Sequence, residues 1–153
     1  MKQGQIYYHY SNEAFFQHHF NVNWLIKLMN NPEIQIIPRI TNEIRNYFRE
    51  KFILDGWSNE MNLSANTDLT ISAKKDKIAL QVQTGNVSRT AYDLLKLQYL
   101  YLEGDITAGI LIVPSKQAAK KMGSNLAHYE RLQKELQLFK KIITIPIILV
   151  SFD

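Results

Sequence analysis

The sequence has no cysteine, which excludes disulfides, a cysteine-liganded zinc site and a cysteine nucleophile. Its longest apolar runs, such as residues 142–150, fall far short of the roughly 20 residues that a membrane-spanning helix needs. The opening Met1-Lys2-Gln3-Gly4-Gln5 leads into no apolar h-region, so no secretory signal and a cytoplasmic location are expected. Four prolines and six glycines are too few and too scattered to form a linker, and no repeat or low-complexity tract is visible. One domain, residues 1–153, is therefore expected. Neither sign of charge dominates: 18 Lys+Arg against 14 Asp+Glu leaves +4, which permits a nucleic-acid partner without demanding one. What is present is enough for a packed core, since 46% of residues are hydrophobic and 11% aromatic.

The first third of the chain reads as helical. Ser11–Asn30 carries bulky residues at helical spacing (Phe15, Phe16, Phe20, Leu25, Leu28, Met29), with Ser11 as N-cap and Asn30-Asn31-Pro32 as stop. Thr41 caps a second helix over residues 42–54, with Ile44, Tyr47, Phe48 and Phe52 on its buried side. The period then changes. Residues 67–72 alternate polar and apolar, Lys74–Lys77 reads as a turn, and 78–83 forms the returning strand. A long helix follows over 88–103, closed by Gly104, and then the continuous apolar strand 108–113. A basic loop or short helix spans 115–123, Ser124 caps a last helix, and residues 145–152 form a last apolar strand. This order specifies an α/β sandwich with a mixed sheet.

The hairpin 68–83 is the segment with chemical content. Gln81 and Gln83 share one strand face while Leu80 and Val82 point into the core. Pairing Ala73 with Ile78 across the turn sets Asp68 opposite Gln83 and Thr70 opposite Gln81, with facing Cβ atoms roughly 5 Å apart. A simply solvated hairpin face would also carry such residues. A strand leading into a helix and two apolar strands, however, belongs at the centre of a sheet and not at a wet edge.

Asp68, followed thirteen positions later by Gln81-Val82-Gln83, resembles the PD-(D/E)XK nuclease motif, most nearly that of restriction endonucleases of the BamHI and BglII type. The resemblance runs through Asn86, the following helix, Ile110–Val113, Gly123-Ser124-Asn125 and the last strand, roughly the final 100 residues. It implies a three-layer restriction-endonuclease-like fold, a central mixed sheet flanked by helices. It also implies a Mg2+-dependent endonuclease (Mn2+ substituting) that hydrolyses double-stranded DNA. In that reading Asp68, Gln81 and the main-chain carbonyl of Val82 hold the metal, because magnesium takes few protein oxygens besides water and phosphate. Gln83 orients the attacking water. Thr67 stands where the motif has proline and Gln81 where it has an acid, which removes one negative charge from the site. Glu60, with Asn59 second, is the candidate compensating residue.

Asn86, Ser88 and Arg89 open the helix after the hairpin and are expected at DNA, as are Lys116, Lys120, Lys121, Ser124 and Asn125. Arg45, Arg49 and Lys51 read as a solvated helix surface. His18 and His19 point about 100° apart on a helix and cannot easily share a metal. Tyr99–Leu102 reads as core or subunit contact. A homodimer is expected, since two-fold DNA sites suit two-fold proteins, and no membrane partner is. Missing charge at Gln81 motivates the alternative, a non-catalytic DNA-binding protein on a degenerate nuclease fold. A structural α/β domain without DNA is the third reading.

Overall fold

Strands β5 (Ile78–Val82), β6 (Ala108–Pro114) and β7 (Ile147–Phe152) are buried along their whole length, as apolar runs are when helices cover both faces of a sheet. The structure, a computed structural model, describes all residues 1–153. The three strands run parallel to one another. Antiparallel strands β1 (Gln3–His9) and β4 (Ala73–Lys75) flank them, giving the order β1-β7-β6-β5-β4. A two-stranded ribbon of β2 (Met61–Asn62) and β3 (Thr70–Ile71) stands apart from this sheet.

Alternation divides the core in two. Ile110, Ile112, Ile148 and Val150 face α1 (Glu13–His19), α2 (Val22–Met29) and α3 (Thr41–Leu54), whose Phe16, Leu25, Met29, Phe48 and Phe52 are buried against them. Leu111, Val113, Ile147 and Leu149 face α4 (Thr90–Leu102) and α6 (Tyr129–Leu138). Each fully buried large apolar side chain contributes about 1.5–3 kcal/mol, so both layers are needed to hold the sheet. Helix α5 (Lys116–Met122) is capped by Ser115 and anchors through Met122. Gly109 lets α4 sit close to β6, since a Cβ there would lie 3.1 Å from a Leu97 methyl. The mixed sheet between two helical layers is the α/β sandwich expected.

Local structure departs from the sequence reading in several places, one being that Thr41 is the first residue of α3 and not its cap, a position Ile40 takes without a side-chain hydrogen bond. Strand β1 was not expected, because its Gln-Gly-Gln-Ile-Tyr-Tyr-His run neither alternates cleanly nor stays apolar, and it pairs through a register irregularity at the sheet edge. The helix over 11–30 is two helices, because Phe20 is extended and Asn21 caps the second as Asn12, not Ser11, caps the first. The last helix is capped by His128, which leaves Ser124 and Asn125 in a loop. The hairpin turn is Asp76-Lys77 alone, so Ala73 pairs with Leu80 and not with Ile78. Asp76 takes the left-handed φ of 51°, which Asp tolerates.

His9 is buried, and its Nε2 lies 2.7 Å from the Ile143 carbonyl oxygen, tying β1 to the approach of β7. Burial lowers its pKa from the ordinary 6.5, so the unfolded chain takes up the proton first and stability falls as pH drops below about 6.5. The urea midpoint of the wild type is expected to decline over that range more steeply than that of His9→Gln. Parallel slopes would show that His9 does not titrate on unfolding.

Candidate functional site

Beyond the Ala73–Leu80 pair, β4 and β5 part company, and the far half of β5, still paired with β6 on its other edge, has no strand on the β4 side. Side chains take over the missing ladder. The Gln81 amide oxygen accepts the Ser72 N–H at 3.2 Å, and the Ser72 hydroxyl accepts the Val82 N–H at 3.0 Å. Since N–H and C=O of one strand residue face the same edge, the Val82 carbonyl also points toward this opening. The gap forms a cavity of about 500 Å³ lined by the polar flank of α3, the hairpin and the start of α4.

Gln83 sits at the back of the cleft, 3% exposed. Its amide oxygen accepts the Gly85 N–H at 2.7 Å, and its amide nitrogen donates to Asp93 on α4. Asp93 is paired with Lys96 at 2.7 Å, and Lys96 also donates to the Thr70 carbonyl at 2.7 Å. This buried network links β5, α4 and β3. Burial raises the Asp93 pKa above its ordinary value, with Lys96, Gln83 and the charge of Arg89 opposing the rise. No buried side-chain polar atom lacks a partner.

Of the residues expected to act together, Gln81, Gln83 and Glu60 line the cleft and Asp68 does not. Asp68 is exposed on the loop before β3. The two-residue turn explains the correction. It moves the register by two, which preserves the face of Gln81 and Gln83 but sets Ser72 beside Gln81, and the first strand then leaves the sheet. Glu60 accepts the Thr70 hydroxyl at the cleft mouth. Asn59 is exposed and does not line the cleft.

The sequence reading missed Ser72, Asp93 and the α3 stripe Asn42, Arg45, Asn46 and Arg49, all of which line the cavity. Reading the turn as two residues would have revealed Ser72. The stripe carried a signal as well, since its three- and four-residue spacing lies beside the buried Ile44, Phe48 and Phe52.

The hairpin's donors by themselves do not fit a magnesium ion. Mg2+ is bound through one or two carboxylates besides waters and phosphate, yet the hairpin offers a hydroxyl and two carboxamides whose oxygens already accept backbone N–H groups, which leaves Glu60 as the one carboxylate of the cleft outside an ion pair. Asp93 is committed to Lys96 and Gln83, and no three acidic or histidine side chains cluster as metal ligands.

Of the expected DNA-contacting residues Arg89 lines the cleft, while Lys116 lines a separate hollow beside His128 and Glu130. Val87 N–H donates to the Asn125 carbonyl at 2.8 Å and Ala127 N–H to the Gly85 carbonyl at 2.9 Å, so the loops after β5 and α5 are zipped together. This brings exposed Asn86, Ser88 and Arg89 beside exposed Ser124 and Asn125. Asn86 caps its own turn by accepting the Ser88 N–H at 2.8 Å. Lys116, Lys120 and Lys121 are exposed on α5, which runs into that second loop.

The sequence model of the family described as restriction endonuclease BglII/BglIII matches residues 5–152. The fold is similar to the crystal structure of restriction endonuclease BglII complexed with a DNA 16-mer, with a TM-score of 0.78 at 14% identity over 100% of this chain and 78% of that one. Against free BglII the TM-score is 0.70 at 15% identity, over 100% and 80% of the two chains. At these identities the structural likeness concerns the fold. No curated protein matches the chain.

The Asp93–Lys96 pair gives a stability test of the network. Asp93→Asn leaves a buried ammonium without its counter-charge and is expected to cost about 3–5 kcal/mol in urea unfolding. Lys96→Met should destabilise more at pH 8 than at pH 5, because Asp93 can escape its loss by protonation and the native state then binds more protons than the unfolded one. A pH-independent loss would refute the coupling.

Proposed function

The chain belongs to the restriction endonuclease BglII/BglIII family, and on that premise we propose that it binds double-stranded DNA across the carboxyl ends of β5 and β6. The observation that carries this reading is the zipped rim. Asn86, Ser88 and Arg89 come together with Ser124 and Asn125, Arg89 lines the polar cleft, and the lysines of α5 lie on the helix that runs into the second loop. Amides and hydroxyls there suit base edges, and the cations suit phosphates. The ends of parallel strands are also where open α/β sheets place their ligands. In this reading the cleft receives a backbone phosphodiester, and the protein holds the duplex without efficient metal-assisted hydrolysis, because Ser72 and Gln81 stand where a cation would need acids.

DNA cleavage, the activity that the family name carries, is the second reading, and Glu60 is the observation in its favour. It is a carboxylate at the cleft mouth with no cation bound to it. It would have to supply the negative charge for a Mg2+ or Mn2+ ion, with the Val82 carbonyl beside it.

A homodimer completes the proposal. Tyr92, Leu95, Tyr99 and Leu102 form one stripe along α4 and are 43–72% exposed, and a second copy placing its own stripe there would bury them.

Three measurements test these readings. A duplex gel shift at low salt is expected to show binding that weakens steeply as salt rises; no shift at any salt would reject the DNA reading. Plasmid incubated with Mg2+ or Mn2+ should stay intact with the wild type and be nicked or cut by the Ser72→Asp/Gln81→Glu protein. Cutting by the wild type that is lost in Glu60→Gln would establish the endonuclease reading instead. Leu95→Glu is expected to halve the mass measured by sedimentation, and a monomeric wild type would remove the dimer.

A further inference from the structure

Three guanidiniums surround a cleft that has few acids to oppose them. Arg45 and Arg49 lie four residues apart on α3, and Arg89 lies across the opening at the start of α4. None of the three is in an ion pair, since the pairs of this structure are Lys96–Asp93, His128–Glu130 and Arg131–Glu135. Of the two acids lining the cleft, Asp93 is already neutralised by Lys96, and Glu60 alone remains to oppose three positive charges. Arg45 is held in place: its Nε donates to the Thr84 hydroxyl at 2.9 Å, which leaves its terminal nitrogens unspent. One of them would lie 3.1 Å from a Cβ at Gly85, as would the Gln83 amide oxygen, so a side chain there would crowd both groups. Asn42 and Asn46 add amide groups on the same stripe.

We propose that this cleft is a phosphate receptor that works without a divalent cation, with Arg45, Arg49 and Arg89 as its binding groups. The inference deepens the DNA-binding reading above and rests on it for the source of the phosphate. A guanidinium offers two parallel N–H donors to two phosphate oxygens, stays charged at every working pH, and forms shorter and stronger hydrogen bonds to an ionised acceptor than to a neutral one. A metal-binding cleft in this fold would use carboxylates to hold a cation and let the cation hold the phosphate. Here the sign of the lining is reversed, and the protein's own cations meet the phosphate. Gln81 and Gln83 close the back wall with amide oxygens that already accept backbone N–H groups, so they shape the cleft without adding charge.

The test is fluorescence anisotropy of a labelled duplex across a salt series, in EDTA and in Mg2+, for the wild type and for Arg45→Gln/Arg49→Gln/Arg89→Gln. All three positions are exposed, so the variant should keep its circular dichroism, with a small fall in Tm from the lost Arg45–Thr84 hydrogen bond. Wild-type affinity is expected to be equal in EDTA and Mg2+. The variant should bind at least about tenfold more weakly, and its slope of log K against log salt should be smaller by about 1 or more, one unit for each phosphate that the protein no longer neutralises. A Mg2+ requirement, or an unchanged slope in the variant, would overturn the proposal while leaving DNA binding intact. A second arm titrates inorganic phosphate in EDTA and follows Tm. A rise in the wild type and none in the variant supports a receptor open to free phosphate. No rise, together with arginine-dependent duplex binding, supports one built for the DNA backbone. If no duplex binds, the DNA reading falls, and the phosphate arm alone decides for the cleft or against it.

Discussion

The early separation of β4 from β5 is the constraint on which the site depends. A strand edge cannot be left bare without cost, because each unpaired buried N–H or C=O loses a hydrogen bond. Ser72 and Gln81 meet that demand with their side chains, each bonding the other strand's backbone across the gap. The sheet can therefore end its ladder early and open a polar cavity beside a core strand. Had β4 continued, the edge of β5 would be closed, and α3 would have no cleft to face.

Behind that edge, a second device keeps the cavity in shape. Gln83, Asp93 and Lys96 form a chain of charge-assisted contacts running from the sheet to α4 and on to the Thr70 carbonyl. Such a network is costly to bury and costlier to break in part. It also consumes the one buried carboxylate near the hairpin. The same interaction that rigidifies the cleft thus removes the acid best placed to hold a cation. With Asp93 neutralised and Ser72 and Gln81 uncharged, the lining is set by guanidiniums, and its chemistry turns from cation binding to anion binding.

The loops complete the opening. Parallel strands β5 and β6 send their carboxyl ends to the same side, so the segments after them meet whatever their sequence separation. Backbone hydrogen bonds between 85–87 and 125–127 then fix Asn86 and Asn125 in one rim. That rim and the arginine stripe of α3 come from distant parts of the chain and share no local pattern. Only the sheet brings them to one opening.

The sequence by itself determined the elements with strong local patterns. Apolar runs at 108–113 and 145–152 marked the strands that became β6 and β7, Ile44, Phe48 and Phe52 marked the buried side of α3, and the alternation around Gln81 and Gln83 set their shared face. It also carried the family likeness, because the motif and the order of elements are linear features. The partner of Gln81 was decided by tertiary structure. A two-residue turn in place of four moves a register by two, and no periodicity distinguishes these, since both keep every side chain on its own face. For that reason Ser72 stands beside Gln81 where Thr70 was expected, and Asp68 lies outside the cleft. Arg45 and Arg49 looked like solvated charge because a helix surface has the same spacing whether it meets water or a cleft; what it meets is settled when another strand stops short.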